Sequence, residues 1–358
     1  MTPARRLVST LVICGACALG WTACGSTSVL PAFHKRDRHI DFVGFNDNSV
    51  GQQLVTPAQD ARLLSRTKAN AVRVTLDWAA VERRPGDFDF AWADAVYRAM
   101  LARHIKVLWI PMFAPRWAAG NVCLLRLVGC HAPPAPAHDA DWEALITDLA
   151  SRYPASAGIE VWNEPNLAAF WQPRPNPARY TQLLKEAYEA AHGVNPTLPV
   201  VSGGLGDALG GPRNMSLPDF LRAMLADGAR PFMSALGVHP YPYGPDETAF
   251  VQAMAQTRSI LDHDDDQALP IWITEMGVST TGPNGVTQAA QASELADLYK
   301  RAEAMPDVNA VFFHTLLDPP GPVTDPEVGY GVYASPTHAK RGARVLERLF
   351  SRNRSLGS

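Results

Sequence analysis

A single (β/α)8 barrel is the fold this sequence predicts, and three observations predict it. Eight apolar strand-like runs alternate with eight helical patterns, no glycine-rich phosphate turn follows the first run, and no repeat or low-complexity block divides residues 39 to 351. An open, doubly wound sheet is the runner-up and would be expected to carry that glycine-rich turn. With 358 residues, 47% of them hydrophobic and 19% charged, the chain has the make-up of a soluble globular protein with one large core.

The strand-like runs are 39–45, 71–76, 105–111, 158–163, 199–203, 233–239, 269–275 and 308–315. All are rich in Val, Ile, Leu and Phe without strict alternation, as strands buried on both faces should be. Helical patterns lie between them at 57–69, 90–103, 141–152, 177–192, 217–226, 247–261, 288–304 and 336–349. Thr56 before Pro57 and Asn176 before Pro177 are N-cap signals followed by a proline suited to the first helical turn. Two longer insertions, 112–140 and 204–216, follow strands three and five, on the barrel face where binding loops belong.

Residues 1–23 are expected to be an export signal, because Arg5 and Arg6 precede an apolar stretch, 7–21, too short to span a bilayer comfortably. Cleavage after Ala23 would leave Cys24 first, followed by Gly25, Ser26 and Thr27. That arrangement resembles a bacterial lipoprotein signal, although Trp21 stands where such signals usually carry Leu. Lipidation of Cys24, giving a membrane tether, and plain secretion both remain open, and both place the protein outside the cytoplasm. Residues 24–38 read as a tether, 39–351 as the catalytic domain and 352–358 as a tail. In an oxidising compartment Cys123 and Cys130, which bracket a short loop, are expected to form a disulfide; two reduced thiols are the alternative. No His or Cys partners stand at ligand spacing for a metal. The run Asp264-Asp265-Asp266 reads as a solvated loop, since the spaced ligands of a calcium loop are lacking. A formal charge of −3 with no basic stripe argues against a nucleic-acid partner. A monomer is expected.

Two glutamates carry the chemistry. Glu164 lies in Gly-Ile-Glu-Val-Trp-Asn-Glu-Pro-Asn (158–166) and Glu275 in Pro-Ile-Trp-Ile-Thr-Glu-Met-Gly (270–277), each at the C-terminal end of an apolar strand. Splitting a glycosidic bond calls for one carboxyl group that donates a proton and another, across the bond, that stabilises or captures the anomeric carbon.

These motifs resemble those of clan A glycoside hydrolases, most closely family 39, with family 5 next. The likeness spans about 39–349. It includes Arg73 in strand two, Pro111 and Ala114-Pro-Arg-Trp117 after strand three, His239-Pro-Tyr241 after strand six, and Gly329-Tyr-Gly-Val-Tyr333 before the last helix. The resemblance implies a retaining hydrolase of oligo- or polysaccharides working without cofactor or metal, with Glu164 as acid/base and Glu275 as nucleophile. A retaining pair stands about 5–5.5 Å apart, whereas a gap beyond about 6.5 Å favours inversion. The resemblance further implies that Asn163 binds a sugar 2-hydroxyl, that Tyr241 donates to Glu275, and that His239 supports that region. Arg73 is expected near Glu275, lowering its pKa, or paired with Glu160, or both. Trp117, Trp171 and Trp78 are candidate stacking platforms, while Trp109, Trp162 and Trp272 lie within strands and read as core. His314 stands in Phe-Phe-His where the family often carries Trp, and Asp318 either binds a hydroxyl or starts a turn. A transglycosylase shares this mechanism, and a carbohydrate-binding lipoprotein on a decayed barrel is the non-catalytic alternative.

Overall fold

Strands apolar on both faces need helices outside and a filled lumen inside. In the computed structural model, which describes residues 39–120, 131–206, 213–242, 248–263 and 269–357, both needs are met. The signal and tether, Cys24, Cys123, Cys130 and the run 264–266 lie outside the described residues. In chain order the elements are β1 (Phe42–Asn46), α1 (Pro57–Arg66), β2 (Ala71–Asp77), α2 (Trp78–Val81), α3 (Ala91–Leu101), β3 (Lys106–Met112), α4 (Arg116–Ala119), α5 (Asp139–Arg152) and β4 (Gly158–Val161). Next come α6 (Pro177–Val194), β5 in two pieces (Val200–Ser202 and Leu205–Gly206), α7 (Leu217–Ala226), β6 (Leu236–His239), α8 (Thr248–His263), β7 (Ile271–Met276), α9 (Gln288–Ala304) and β8 (Val308–His314). A short hairpin, β9 (Tyr333–Ser335) with β10 (His338–Ala339), leads into α10 (Arg341–Leu356).

Every barrel pairing is parallel, and β1 joins both β2 and β8. The ring closes between β5 and β6 through the Leu205–Val238 and Gly206–His239 pairs and a Val201–Ala235 bridge. This is the (β/α)8 barrel the sequence predicts. Side chains alternate along each strand, so successive residues face the lumen and the helices. A cluster of Ala71, Leu108, Ala157, Val201, Ala235, Trp272, Ala310 and Phe312, with Phe42 against it, draws on all eight barrel positions and fills the lower lumen. Their neighbours Val72, Val107, Ile159, Val200, Ile273 and Val311 belong to the larger core under the helices. Two residues further along several strands, the lumen turns polar.

Helix starts follow the sequence signals. Thr56 and Gln59 form a reciprocal capping box at α1, and Asn176 caps α6 ahead of Pro177. The last helix departs from expectation. Pro336 belongs to the tight β9–β10 turn, whose second position suits its fixed φ, and α10 begins only at Arg341. It then runs to Leu356, through residues expected to be a tail. Phe350 is buried, and the Asn353 side chain accepts from the Ile40 amide at 2.8 Å and donates to the Ile40 carbonyl at 2.8 Å, fastening the helix to the start of the barrel.

Candidate active site

The same alternation that fills the lower lumen brings Asn46, Arg73, Glu160, Thr274 and His314 to its upper end. Registers Asn46–Arg73 and Asn46–His314 align three of them across neighbouring strands. Such a layer is tolerable in a barrel only if its groups satisfy one another. Arg73, 1% exposed, is the hub. It donates through Nε and Nη2 to the two oxygens of Glu160 at 2.7 and 2.8 Å, through Nη1 to Glu275 Oε1 at 2.6 Å and to Asn46 Oδ1 at 2.8 Å, and through Nη2 to Asn163 Oδ1 at 2.8 Å. Both expectations for Arg73, the Glu160 pair and the Glu275 contact, therefore hold in one network. Burial alone would ease its proton off; Glu160 and Glu275 more than reverse that, so its pKa is raised.

Glu275 lies near the end of β7 and is 13% exposed. Besides Arg73 it accepts from the Tyr241 hydroxyl at 2.8 Å, as the resemblance implies. Burial pushes its carboxyl up, but His239, Arg73, His314 and the Tyr241 hydrogen bond outweigh that and bring it to about 2. It stays an anion.

Glu164 follows β4 in a turn with φ of +41° at Glu164 and +70° at Trp162, a backbone region unusual for non-glycine residues. The turn is held from several sides: the Trp162 indole donates to the Phe170 carbonyl at 2.7 Å, and the Asn166 side chain donates to the carbonyls of Gly206 and Met215. Glu164 is 14% exposed and its Oε1 lies 3.0 Å from His239 Nδ1. The same nitrogen lies 3.9 Å from Glu275 Oε2. These two contacts cap the separation of those oxygens at about 7 Å. Asn163 commits its Oδ1 to Arg73, so its NH2 end is the one available to a ligand.

Both glutamates line a cavity of about 880 Å³ at the C-terminal strand ends, together with Arg73, Asn163, Tyr241 and His314. His314 sits where the family often has Trp. Asn46 gives its carbonyl oxygen to Arg73, so its NH2 faces His314 Nδ1 at 3.1 Å, and His314 Nε2 meets Glu327 at 2.9 Å. Burial disfavours a charged His314 ring, while Glu327 and Glu275 favour it and set the net direction upward. Protonating Nδ1, however, requires Asn46 to turn its amide away from Arg73.

The stacking expectation for tryptophan is corrected. Trp78 is 0% and Trp171 2% exposed, both within the main core. Trp78 packs edge-on to Trp117 and tilted against Trp142, while Trp171 packs against Trp162 and Tyr180. Trp117 is partly buried, and its indole reaches the Glu82 carbonyl at 3.4 Å rather than the cavity. Besides Tyr241, which sequence reasoning singled out, the cavity aromatics are Trp92, Phe113, Phe170 and Tyr330; Tyr330 lay within a quoted motif but was given no role. Phe113 directly follows β3 and Phe170 precedes Trp171, so strand-end proximity was a usable signal for these two; Trp92, on α3, had none. Trp109, Trp162 and Trp272 are core, as expected. Asp318 takes the structural alternative: it accepts from the Gly331 amide at 2.8 Å and pairs with Lys340 at 2.6 Å.

No protein-family model matches the sequence. A β-xylosidase of Geobacillus stearothermophilus is 29% identical over 143 residues, 37% of this chain, so the match spans only 27% of that relative. Among solved structures, a family 39 glycoside hydrolase from the gut symbiont Bacteroides cellulosilyticus WH2 superposes with a TM-score of 0.70 at 22% identity, covering 87% of this chain and 64% of that one. A family 39 β-xylosidase from Caulobacter crescentus gives 0.67 at 22%, covering 88% and 72%. A family 5 subfamily 18 protein from Streptomyces cattleya, solved with GlcNAc, gives 0.66 at 17%, covering 88% and 81%. The chain is thus a (β/α)8 barrel similar to those of family 39 glycoside hydrolases, with family 5 next.

Proposed function

We propose that this protein is a retaining glycoside hydrolase acting on an oligo- or polysaccharide. One observation carries the reading: a carboxylate held ionised by Arg73 and Tyr241 faces a second carboxyl group across a single imidazole nitrogen in a sugar-sized cavity. Glu275 attacks the anomeric carbon while Glu164 gives its proton to the departing glycosidic oxygen. The sugar is then an ester on Glu275. In the second step Glu164 takes a proton from water, the water oxygen bonds to the anomeric carbon, and the Glu275 carboxylate leaves. The names of the Geobacillus and Caulobacter relatives make aryl β-xylosides the first substrates to try in a panel with bacterial polysaccharides.

Glu275→Ala is expected to abolish turnover while the thermal melt stays cooperative. Azide should then rescue an activated substrate with inversion, giving an α-azide from a β-glycoside and a β-azide from an α-glycoside. Wild-type turnover in Glu275→Ala would end the assignment.

The reading extends to an exported enzyme cleaved before Cys24, secreted or lipid-anchored, with Cys123 bonded to Cys130; the basic–apolar N-terminus and the cysteine spacing support it. Mass spectrometry of the exported protein checks both points. An uncleaved N-terminus, or free thiols at Cys123 and Cys130, would reject the corresponding part.

A further inference from the structure

Between the barrel hub and Glu164 runs a chain of hydrogen bonds whose direction is set from Arg73 as far as the His239 ring. Glu160, 0% exposed, accepts from both arms of Arg73, from the Gly204 amide at 2.8 Å and from the Thr274 hydroxyl at 3.1 Å. Two of those partners are pure donors, so Glu160 is present as the acceptor-only carboxylate. Thr274 therefore spends its one O–H on Glu160. Its oxygen is left to accept, and among the described residues the ring atom it meets is His239 Nε2 at 3.1 Å. Nε2 must carry a hydrogen. Nδ1, the nitrogen facing Glu164 Oε1 at 3.0 Å, is then a lone pair in the neutral ring.

We infer that Thr274 is a positioning residue of the proposed reaction: it locks His239 as the Nε2–H tautomer, so that Nδ1 and Glu164 Oε1 hold one proton between them. This rests on the reading of Glu164 as acid/base. When that proton goes to the leaving oxygen, the bare carboxylate faces an imidazole lone pair, which makes it a better base for the water of the second step. The Nε2 hydrogen never moves, and no proton leaves through Thr274. The charged and titratable groups facing the Glu164–His239 contact are Glu275 at 3.9 Å from Nδ1, Arg73 and Glu160 behind it, Tyr241 on Glu275, and His314 across the cavity.

The backbone is shaped for this ring. A side chain at Gly204 would place Cβ 2.0 Å from His239 Nε2 and 2.6 Å from Thr274 Oγ1, and one at Gly206 would come within 2.6 Å of Glu164 Oε1. The break between the two pieces of β5 leaves that room.

The test is Thr274→Val, which keeps shape and removes both hydrogen-bonding roles, beside Thr274→Ser, which restores them. Two-bond 15N–1H spectra of the full chain with labelled histidine should show His239 as Nε2–H in wild type and Ser, and a mixed or Nδ1–H ring in Val. On aryl glycosides with poor leaving groups, Val should lower kcat by about tenfold to a hundredfold and move the basic limb of the pH profile down. Activated leaving groups, which need little protonation, should be spared. A Val variant that melts like wild type yet keeps Nε2–H and the wild-type basic limb would overturn the inference. Should wild type hydrolyse no glycoside, the glycosidase reading fails while the spectra still decide the tautomer.

Discussion

Glu275 is an anion because four neighbours outweigh its burial. The depressed carboxyl, at about 2, has a direct consequence for stability: a folded-state value below the unfolded one contributes stability that is complete above the ordinary carboxylate range and is lost as pH falls toward about 2. It also separates the jobs of the two acids, since Glu275 does not titrate near neutrality. Among the four, Tyr241 can be altered most cleanly. Its hydroxyl donates to Glu275 Oε2, while its ring packs edge-on to Tyr330 at 5.8 Å and His314 at 6.4 Å. Tyr241→Phe keeps the packing and deletes a hydrogen bond to a charge, a change of about tenfold to a hundredfold in kcat if that bond is retained in the transition state. With one stabilising donor gone, the Glu275 pKa rises, so the acid limb of kcat/KM against pH moves upward. An acid limb unmoved in Tyr241→Phe would show that the phenol does not help to hold the charge.

At the scale of elements, the sequence was legible wherever one physical requirement left a repeated mark. Strands covered on both faces cannot alternate strictly apolar with polar, and all eight were readable as runs rich in Val, Ile, Leu and Phe. Thr56 and Asn176 marked helix starts because unsatisfied amide groups need an oxygen there. The last helix was misplaced because Pro336 suits a hairpin turn as well as a first helical turn, and the deciding feature, Asn353 clasping Ile40, joins residues 313 apart in sequence. The site divides in the same way. Glu164, Glu275, Arg73, Asn163, His239 and Tyr241 were readable because strand ends and their neighbours converge in a barrel whatever the loops do. Tryptophan was not, because Trp78 and Trp171 follow strands yet turn outward beneath helices, and nothing local distinguishes that from turning over the cavity. Thr274, one residue before Glu275, was quoted in its motif and given no role; only its hydrogen bond across the lumen to the Glu160 carboxylate suggests one.

The last strand of the barrel, β8, pairs with the first, β1, and that seam carries a second pair of acids outside the proposed chemistry. Asp47 and Asp60 are 3% and 1% exposed. Asp47 Oδ1 accepts from the Ser49 amide at 3.2 Å and hydroxyl at 2.6 Å, while Thr315, just past β8, donates to the Asn46 carbonyl at 2.7 Å. Burial, then the charge of Asp47 and the hydrogen bond between the two side chains, raise the Asp60 pKa well above its ordinary value. Folding thus makes Asp60 keep a proton that the unfolded chain releases. The sign is opposite to that of Glu275: the fold binds more protons than the unfolded chain, so stability falls as pH rises above the ordinary aspartate range. Of these two groups, Glu275 contributes stability above the ordinary carboxylate range while Asp60 takes it away there. Asp60→Asn preserves shape and supplies an N–H donor to Asp47 that no pH removes. Its melting temperature should exceed wild type by about 2 °C or more at pH 8, with the gap closing toward pH 4. Because the β1–α1 loop also contributes Asn48, Gly51 and Gln52 to the cavity wall, the same substitution should extend activity to higher pH before thermal inactivation. Equal shifts in melting temperature at both pH values would mean that the two aspartates do not share a proton, and that the seam is held by packing alone.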